Sequence, residues 1–336
     1  MSNTPAIMAE NILLNACEQH ATDIHFYPEE NKVIVFFRKF GFRQKMKELP
    51  KDEYKMILSY FKFSSYMDIG EKRRPQSGTF LFEDKHSQKY SLRLSTLPHH
   101  YFESLSIRIL PQENSPNFDQ LFLFPKQFKQ MKSWMRLHSG IIIMTGPTGS
   151  GKTTTMYSLL QSMLKERSFQ AITIEDPIER KIDHVLQVEI NEKAGITYQN
   201  GLKAALRHDP DVILIGEIRD VETATFAFRA ALTGHLVLTT LHAKNAEGTI
   251  DRLIELGVNR TDIKETLVAV ASLKLLPIIK AGEVYRQAAI VELLDDSSLR
   301  KKVDGGEKVI DRKKTFKYLI QKAYLYGYIS EENLIL

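Results

Sequence analysis

Residues 146–153 read GPTGSGKT, the pattern G-x-x-x-x-G-K-T of a phosphate-binding loop. A short apolar run at 141–144 precedes this loop, and the apolar residues of 154–164 follow it at helical spacing. The glycines of such a loop let backbone N–H groups turn toward phosphate oxygens, and the helix N-terminus adds the positive end of its dipole. The order of strand, loop and helix therefore predicts a site for a nucleoside triphosphate.

Two residues of this loop carry most of its chemistry. Lys152 is placed to reach the β- and γ-phosphates, and the Thr153 hydroxyl is placed to hold Mg²⁺. The alternative, a glycine-rich turn with a surface lysine, does not account for the strand and the helix on either side. The other residues expected to bind the nucleotide are Gly146, Pro147, Thr148, Gly149, Ser150, Gly151 and Thr154.

The composition limits the class of protein. With 336 residues, of which 43% are apolar and 26% charged, the chain has the profile of a soluble globular protein with two domains. Its 46 cations and 41 anions give a net charge of +5, which is too balanced to argue for binding of nucleic acid. The single cysteine, Cys17, excludes an intramolecular disulfide and a multi-cysteine metal site, so no zinc is expected.

The sequence also predicts a cytoplasmic protein. No apolar run approaches the ~18 residues of a membrane-spanning helix. The N-terminus has neither the basic region nor the apolar region of a signal peptide. Any role at a membrane is therefore expected to depend on a partner.

The first part of the chain predicts a small α+β domain built on an antiparallel sheet. The predicted helices are 5–20 and 51–63, and the predicted strands are 23–28, 32–38, 79–83, 89–97 and 102–110. A polar, proline-containing segment follows, and it predicts a linker. The predicted domains are therefore 1–112 and 121–336, with the linker at 113–120.

From residue 121 onward, strands alternate with helices, a pattern that is typical of a parallel sheet covered by helices. Beyond about residue 245 the pattern predicts a mostly helical C-terminal part. Because ligands of such sheets lie at the carboxyl ends of the strands, the loops after the strands should converge on the phosphates. The predicted strands are 141–144, 171–174, 212–215 and 236–240, and the predicted helices are 126–138, 199–207 and 220–232.

An acidic stretch, Glu175-Asp176-Pro177, follows the second of these strands. A carboxylate at this position can orient a water or hold Mg²⁺ through a water, which makes Glu175 a candidate for both roles. The alternative is an acidic loop before a proline, without a role in chemistry.

The strand at 212–215 ends in a second acidic stretch. Gly216 stands where many phosphate-loop enzymes carry a Mg²⁺-binding aspartate, and Glu217 follows it. Glu217 is therefore the carboxylate best placed to take a proton from the attacking water. Arg219 and Asp220 are more ambiguous, because Asp220 can instead cap the helix that follows.

Two histidines flank the strand at 236–240. His242 ends this strand on the side of the loops, where it can contact the γ-phosphate. His235 begins the strand, on the side of the sheet away from the loops, and a single histidine there is usually structural.

Arg93 and Arg108 stand on the polar face of neighbouring strand candidates. Leucines flank Arg93 and isoleucines flank Arg108, and these apolar neighbours point to the opposite face. Such arginines are normally exposed to solvent. They belong to a site only where this face meets the phosphates, and there an arginine finger can raise turnover by ~10³–10⁵.

Taken together, these stretches resemble the ATPase family that powers type II secretion and type IV pilus machines. The resemblance covers about residues 5–295, and several stretches in one order are far more specific than the phosphate loop alone. The matching stretches are 22–25, 94–98, 146–153, 174–177, 207–220, in which glycine precedes glutamate, and 233–242.

The resemblance implies an α/β chain with a PAS-like N-terminal domain, a RecA-like P-loop ATPase domain and a homohexameric ring that hydrolyses ATP with Mg²⁺. It also implies roles for single residues. These are phosphate and Mg²⁺ binding for Lys152 and Thr153, the acidic box for Glu175, the catalytic base for Glu217, the histidine box for His235 and His242, and arginine fingers for Arg93 and Arg108.

Residues 61–63 and 67–76 look most like the competence-pilus assembly ATPase of Gram-positive bacteria. That resemblance implies a motor that acts on a polytopic membrane platform protein, and on pilin only indirectly, to build a type IV-like pilus or pseudopilus for DNA uptake. It implies a place at the inner face of the cell membrane through partners, without direct contact to nucleic acid. The sequence is expected to lack two features of many members of this family, an extra N-terminal docking domain and a four-cysteine zinc subdomain near 275–280.

Three alternatives remain open at this point. A pilus retraction ATPase or a type II secretion ATPase would use nearly the same catalytic residues. A RecA-like DNA translocase would share the core and the basic charge. A nucleotide-gated scaffold would bind ATP without hydrolysing it, although the presence of Glu217 argues against this alternative.

Overall fold

The structure is a computed structural model, and it describes residues 4–112, 116–307 and 309–335. The chain divides into two compact units, Met1–Asn114 and Ser115–Leu336. Part of the predicted linker, 113–115, lies outside the described residues, and 118–120 form a short 3₁₀ helix. Each unit is described by itself below.

The first unit is an antiparallel sheet of six strands with two helices. The spatial order of the strands is β3-β2-β1-β6-β5-β4. The helices are α1 Pro5–Glu18 and α2 Lys51–Ser64, and the strands are β1 Asp23–Pro28, β2 Lys32–Lys39, β3 Phe42–Pro50, β4 Gln76–Glu83, β5 Lys89–Leu97 and β6 Ser104–Pro111.

Alternation of side chains explains why one face of this sheet is covered. In β5, Leu92 and Leu94 are buried and Arg93 between them is not, and β6 repeats this pattern around Arg108. The buried face packs against apolar residues of α1 and α2, such as Leu13. The predicted helices and strands of this unit are confirmed within a few residues. The sequence did not predict β3, whose residues are mostly polar and exposed.

The second unit is built on a seven-stranded sheet in the order β13-β12-β7-β11-β10-β8-β9. Its central strands pair in parallel, and their side chains are buried on both faces. The strands are β7 Gly140–Thr145, β8 Ala171–Glu175, β9 Leu186–Glu189, β10 Val212–Ile215, β11 Leu236–Leu241, β12 Leu267–Lys280 and β13 Glu283–Asp295.

Helices cover both faces of this sheet. Side chains of α4 pack with one apolar cluster, and side chains of α6, α7 and α8 pack with another that contains alternate residues of the same strands. The helices are α3 Pro125–Ser133, α4 Lys152–Glu166, α5 Tyr198–Ala205, α6 Val221–Leu232, α7 Ala246–Glu255, α8 Arg260–Thr266, α9 Asp296–Val303 and α10 Phe316–Leu325.

The prediction of a mostly helical chain beyond residue 245 is wrong for 267–295. There β12 and β13 form a long antiparallel hairpin at the edge of the sheet, next to β7. Most side chains of β12 are buried, and a run that is apolar on both faces gives no period to separate a strand from a buried helix. The connecting residues Ala281 and Gly282 have φ of 52° and 84°, the left-handed conformation of a tight hairpin turn.

Candidate nucleoside-triphosphate site

The phosphate loop lies between β7 and α4, as the sequence predicts. Gly151 precedes α4 at its N-cap with φ of 89°, and Gly146 begins the loop with φ of 134°. A Cβ on Gly146 would lie 2.6 Å from the carbonyl oxygen of Leu273 on β12, so only glycine fits there. The loop therefore keeps its backbone close to the neighbouring strand, and the N-terminus of α4 opens at its end.

Lys152 is folded back onto this loop. Its side chain is largely buried, and its Nζ donates hydrogen bonds to the carbonyl oxygens of Gly146 at 2.9 Å and Pro147 at 3.0 Å. Burial lowers the pKa of Lys152, and the carboxylates of Glu217 and Glu179 oppose this shift. An ammonium that is held only by two carbonyl oxygens is suited to exchange them for phosphate oxygens, with which it forms stronger charged hydrogen bonds.

Two hydroxyl groups of the loop, those of Ser150 and Thr153, are placed to take part in binding. The Ser150 Oγ is buried and has no hydrogen-bond partner among the described residues, which marks a polar position that a ligand can satisfy. Thr153 follows Lys152 in the first turn of α4, and its side chain is half-buried. This is the position from which the hydroxyl would hold Mg²⁺.

Glu175 ends β8 and is enclosed by other side chains. Its relative exposure is 3%, its Oε2 accepts a hydrogen bond from the Tyr157 hydroxyl, and Gln187 Nε2 lies 3.5 Å from its Oε1. Burial raises the pKa of Glu175, and hydrogen bonds from Tyr157 and Gln187 oppose this shift. Since both carboxylate oxygens already have donors, Glu175 fits a metal contact through a water better than a direct one.

Glu217 follows β10 and is held from two sides. Arg219 Nε donates to its Oε2 at 2.9 Å, and His242 Nε2 lies 3.2 Å from its Oε1. The Glu217 side chain is 18% exposed, whereas the side chains of Arg219 and His242 are 60% and 47% exposed. The carboxylate is thus oriented by two neighbours and still open to water, the arrangement that a general base needs.

The two histidines lie at opposite ends of β11, as predicted. His242 follows the end that pairs with Thr145, directly before the phosphate loop. His235 precedes the other end, and its Nδ1 lies 3.1 Å from the carbonyl oxygen of Ala230 and 3.0 Å from the Thr233 hydroxyl oxygen. The structure therefore brings His242 to Glu217 and leaves His235 in a local turn after α6.

Asp220 caps α6, which confirms the structural alternative for this residue. Its Oδ1 accepts from the backbone N–H of Thr223 at 2.7 Å. Arg219, which contacts Glu217, also approaches Asp176, with 3.8 Å between Arg219 Nη1 and Asp176 Oδ2. Arg219 therefore joins the acidic stretches after β8 and β10.

The two candidate arginine fingers lie in the first unit, on the face of the sheet that α1 and α2 leave uncovered. Arg93 and Arg108 are directly opposite each other on β5 and β6. Arg108 Nε donates to Asp23 Oδ1 at 3.0 Å, and its side chain is 56% exposed. Both arginines are thus placed on the polar face that the sequence predicts.

The residues that contact Glu175 could not be identified from sequence motifs. Tyr157 lies on α4 and Gln187 on β9, and both contact Glu175 from parts of the chain with no motif. A weak signal was available for Tyr157, because it lies between the loop and the core on the face of α4 that must be buried. None was available for Gln187, since β9 is a short edge strand.

Side chains alone do not form a metal site in the described part of the chain, where no group of three or more His, Cys, Asp or Glu residues is placed to hold a metal ion. No helix within the same residues is long and apolar enough to cross a membrane. Mg²⁺ characteristically binds through few protein ligands together with substrate phosphates, so Thr153 with a water-mediated Glu175 fits that mode.

Comparison with known proteins places these features in a family. The family described as Type II/IV secretion system protein matches residues 3–310. The chain is 43% identical over 341 residues to competence protein ComGA of Bacillus subtilis, which covers 97% of this chain and 96% of the relative. It is 35% identical over 308 residues to type II secretion system protein E of Xanthomonas campestris, and the aligned region covers 91% of this chain and 54% of that relative.

Solved structures share the fold along almost the whole chain. The pilus retraction motor PilT with bound ADP has a TM-score of 0.69 and 29% identity, covering 97% of this chain and 95% of its own. The ATPase DotB of Legionella pneumophila has a TM-score of 0.79 at 23% identity, covering 99% and 95%. The α/β fold described above is therefore shared with these two proteins.

Proposed function

Since the chain belongs to the type II/IV secretion system protein family, we propose a mechanism by which its site hydrolyses ATP and uses that reaction to build a pilus. The chain is an ATPase, and its similarity to competence protein ComGA extends over nearly its whole length. It is the assembly ATPase of a competence pilus, a type IV-like machine for DNA uptake.

One observation carries the catalytic part of this proposal. Glu217 lies at the carboxyl end of β10, and Arg219 and His242 each contact one of its two carboxylate oxygens. His242 follows β11, which pairs with β7 up to Thr145, the residue before the phosphate loop. A carboxylate in this place takes a proton from a water that attacks the γ-phosphorus. Arg219 and His242 fix its orientation so that the free lone pairs face the water.

The remaining loop residues bind the nucleotide. Lys152 exchanges its two loop carbonyls for the β- and γ-phosphate oxygens, and the backbone N–H groups of 146–154 surround the phosphates. Thr153 would hold Mg²⁺ together with Glu175, which would act through a water, and the ion would neutralise charge on the phosphates. His235 belongs to the histidine box in this proposal, and its role is to stabilise the turn that precedes β11 through its contacts with Thr233 and Ala230.

The first unit supplies cations in this proposal. Arg93 and Arg108 act as arginine fingers that stabilise the charge which develops on the transferred phosphoryl group. We assign residues 1–112 to a PAS-like domain and 121–336 to a RecA-like domain. In this proposal, hydrolysis drives motion of one domain against the other.

The motor works as an assembly. We propose a homohexameric ring that docks on a polytopic membrane platform protein, so that the chain reaches the inner face of the membrane through this partner. Motion of the ring turns or lifts the platform and adds pilin subunits, and no direct contact with DNA is required.

Two assays test this function. Deletion of the gene should abolish surface pili and DNA uptake, and the intact gene should restore both, whereas a Lys152→Ala copy should restore neither. Pili that persist but no longer shorten would instead assign the chain to retraction. Stimulation of purified ATPase activity by DNA, and not by the platform protein in vesicles, would favour a DNA translocase, and no phosphate release under any condition would favour a scaffold.

A further inference from the structure

The stretch Thr22-Asp23-Ile24-His25 matches the family, yet the proposed mechanism assigns it no role. Asp23 begins β1, in the middle of the first unit's sheet, directly between Arg38 on β2 and Arg108 on β6. Its Oδ1 accepts from Arg108 Nε at 3.0 Å, and its Oδ2 lies 4.0 Å from Arg38 Nε. One carboxylate therefore faces two guanidinium groups from neighbouring strands.

Asp23 is built into the sheet and is not a mobile surface group. Its side chain is 10% exposed, and the Thr22 hydroxyl donates to its Oδ2 at 2.8 Å. Thr22 is itself fixed, because its backbone N–H bonds to the carbonyl oxygen of Arg38 and its carbonyl accepts from the N–H of Ile109. A carboxylate so enclosed is costly unless it is paired, and here arginine provides the pairing.

The geometry of the contact with Arg108 leaves part of the guanidinium available. The bond to Asp23 uses Nε, and neither Nη of Arg108 has a hydrogen-bond partner among the described residues. The planar group therefore keeps a free edge with two nitrogen donors, the edge with which arginine binds phosphate in a bidentate manner. The Arg108 side chain as a whole is 56% exposed.

Arg93 is directly opposite Arg108 across the β5–β6 pair, so the two candidate arginine fingers lie side by side on this face of the sheet. Asp23 pairs with Arg108 from the β1 side.

We infer that Asp23 is a positioning residue, which fixes Arg108 through Nε so that its Nη edge is presented to a phosphoryl group. The inference rests on the proposed role of Arg108 as an arginine finger. Asp23 touches neither nucleotide nor water in this scheme. It reduces the freedom of a long side chain before the transition state forms, which is where orientation contributes most to rate.

The test is a set of variants of the full-length chain, in which ATP turnover and the binding of a fluorescent ATP analogue are both measured. Asp23→Asn should lower kcat by about 10- to 100-fold, because a misplaced catalytic group costs about this much. KM and analogue affinity should stay within about twofold, since ground-state binding is not removed. A purely structural role would lower the melting temperature and leave kcat per folded molecule unchanged.

Two further variants separate this inference from the finger assignment. Arg108→Ala and the double variant Asp23→Asn with Arg108→Ala should have the same kcat, because Asp23 acts only through Arg108. Full turnover by Arg108→Ala would overturn the finger itself. Slow turnover by Arg108→Ala together with full turnover by Asp23→Asn would overturn only the positioning role, as would additive losses in the double variant.

Arg108→Lys keeps the test valid where Asp23→Asn does not fold. Lysine can still pair with Asp23 but has no Nε and no planar edge, so its kcat should fall as far as that of Arg108→Ala. Wild-type turnover by this variant would mean that a point charge suffices, and the inference would be wrong. Arg43→Ala removes an exposed cation of β3 and should leave turnover unchanged.

Discussion

His242 Nε2 lies 3.2 Å from Glu217 Oε1, so residues that follow two adjacent parallel strands meet in one contact. The contact comes about because β10 and β11 end at the same edge of the sheet. It joins His242 to the carboxylate proposed as the general base and leaves the opposite oxygen of Glu217 to Arg219.

Glu217→Gln should keep ATP binding and lose turnover. The amide has nearly the same shape but cannot take a proton, and loss of a general base costs ~10²–10⁴ in rate. Phosphate release and analogue binding measure the two properties separately. Glu222→Gln, on exposed α6 surface, is the matched control and should behave as wild type. Undiminished hydrolysis by Glu217→Gln would remove this residue from the role of base.

His242→Ala should lower kcat more than it alters nucleotide affinity, because the histidine acts on Glu217 and not on the phosphate loop. The loss in kcat should be about tenfold. It should be smaller than the loss in Glu217→Gln, because His242 orients the base and does not itself take the proton. Combined with Glu217→Gln, it should add little to the loss, since the two residues act as one unit. Fully additive losses in this cycle would show that His242 acts elsewhere.

Lys152→Ala should lose both binding and turnover. In the proposed complex, Lys152 Nζ donates to phosphate oxygens instead of the carbonyl oxygens of Gly146 and Pro147. Alanine would leave those phosphate oxygens without this charged partner. Binding of the fluorescent analogue and phosphate release are the measurements. Lys165→Ala, at the exposed end of the same helix, removes an equal charge and should leave both analogue binding and phosphate release unchanged. Wild-type affinity in Lys152→Ala would contradict the assignment of the loop.

Gly146→Ala and Gly149→Ala should differ although both glycines lie in one loop. Gly149 has φ of 78° and open space where a methyl group would lie, so alanine there costs about 1 kcal/mol of backbone strain. At Gly146 the added Cβ would also lie 2.6 Å from the Leu273 carbonyl oxygen. Gly146→Ala should therefore lower the melting temperature further and abolish analogue binding. Equal melting temperatures would mean that β12 yields to the added methyl group.

Stability should depend on the protonation of Glu292. Burial raises the pKa of this β13 carboxyl, with Glu247 acting in the same direction and Lys274 opposing. Protonated Glu292 therefore contributes stability that is complete below the unfolded-state pKa of about 4.3 and is lost as pH rises through the folded-state pKa. Glu292→Gln is neutral throughout and keeps an oxygen for the Phe316 N–H.

Melting temperatures at a series of pH values check this expectation. Glu292→Gln should lose less stability than wild type between about pH 4 and neutrality, because the charge that must be buried is gone. Glu283→Gln, at the exposed start of the same strand, should follow the wild-type curve. Parallel curves for Glu292→Gln and wild type would place the pH dependence on other groups.

The sequence was informative where local patterns and tertiary structure agree. The phosphate loop, the strands before the acidic stretches and the alternation around Arg93 and Arg108 all follow from spacing, and each is found at its predicted place. The β3 strand could not be recognised, because it is an exposed edge strand whose side chains lack apolar alternation.

Other features depend on partners that are distant in the chain. Tyr157 and Gln187 become important only because folding brings α4 and β9 to Glu175. The β12–β13 hairpin was misjudged because its burial on both faces comes from helices that no local window contains. Asp23 likewise gains its meaning from Arg108, which lies on a strand that is remote in sequence and adjacent in the sheet.

The β12 strand has a mechanical consequence. Its Leu273 carbonyl abuts Gly146, its Leu275 side chain lies against Gly151, and its far end bonds through the Ile279 N–H to Tyr328, just beyond α10. A load on α10 therefore reaches the phosphate loop through a single strand, β12. The rate of hydrolysis in this chain should be sensitive to force applied at its C-terminus.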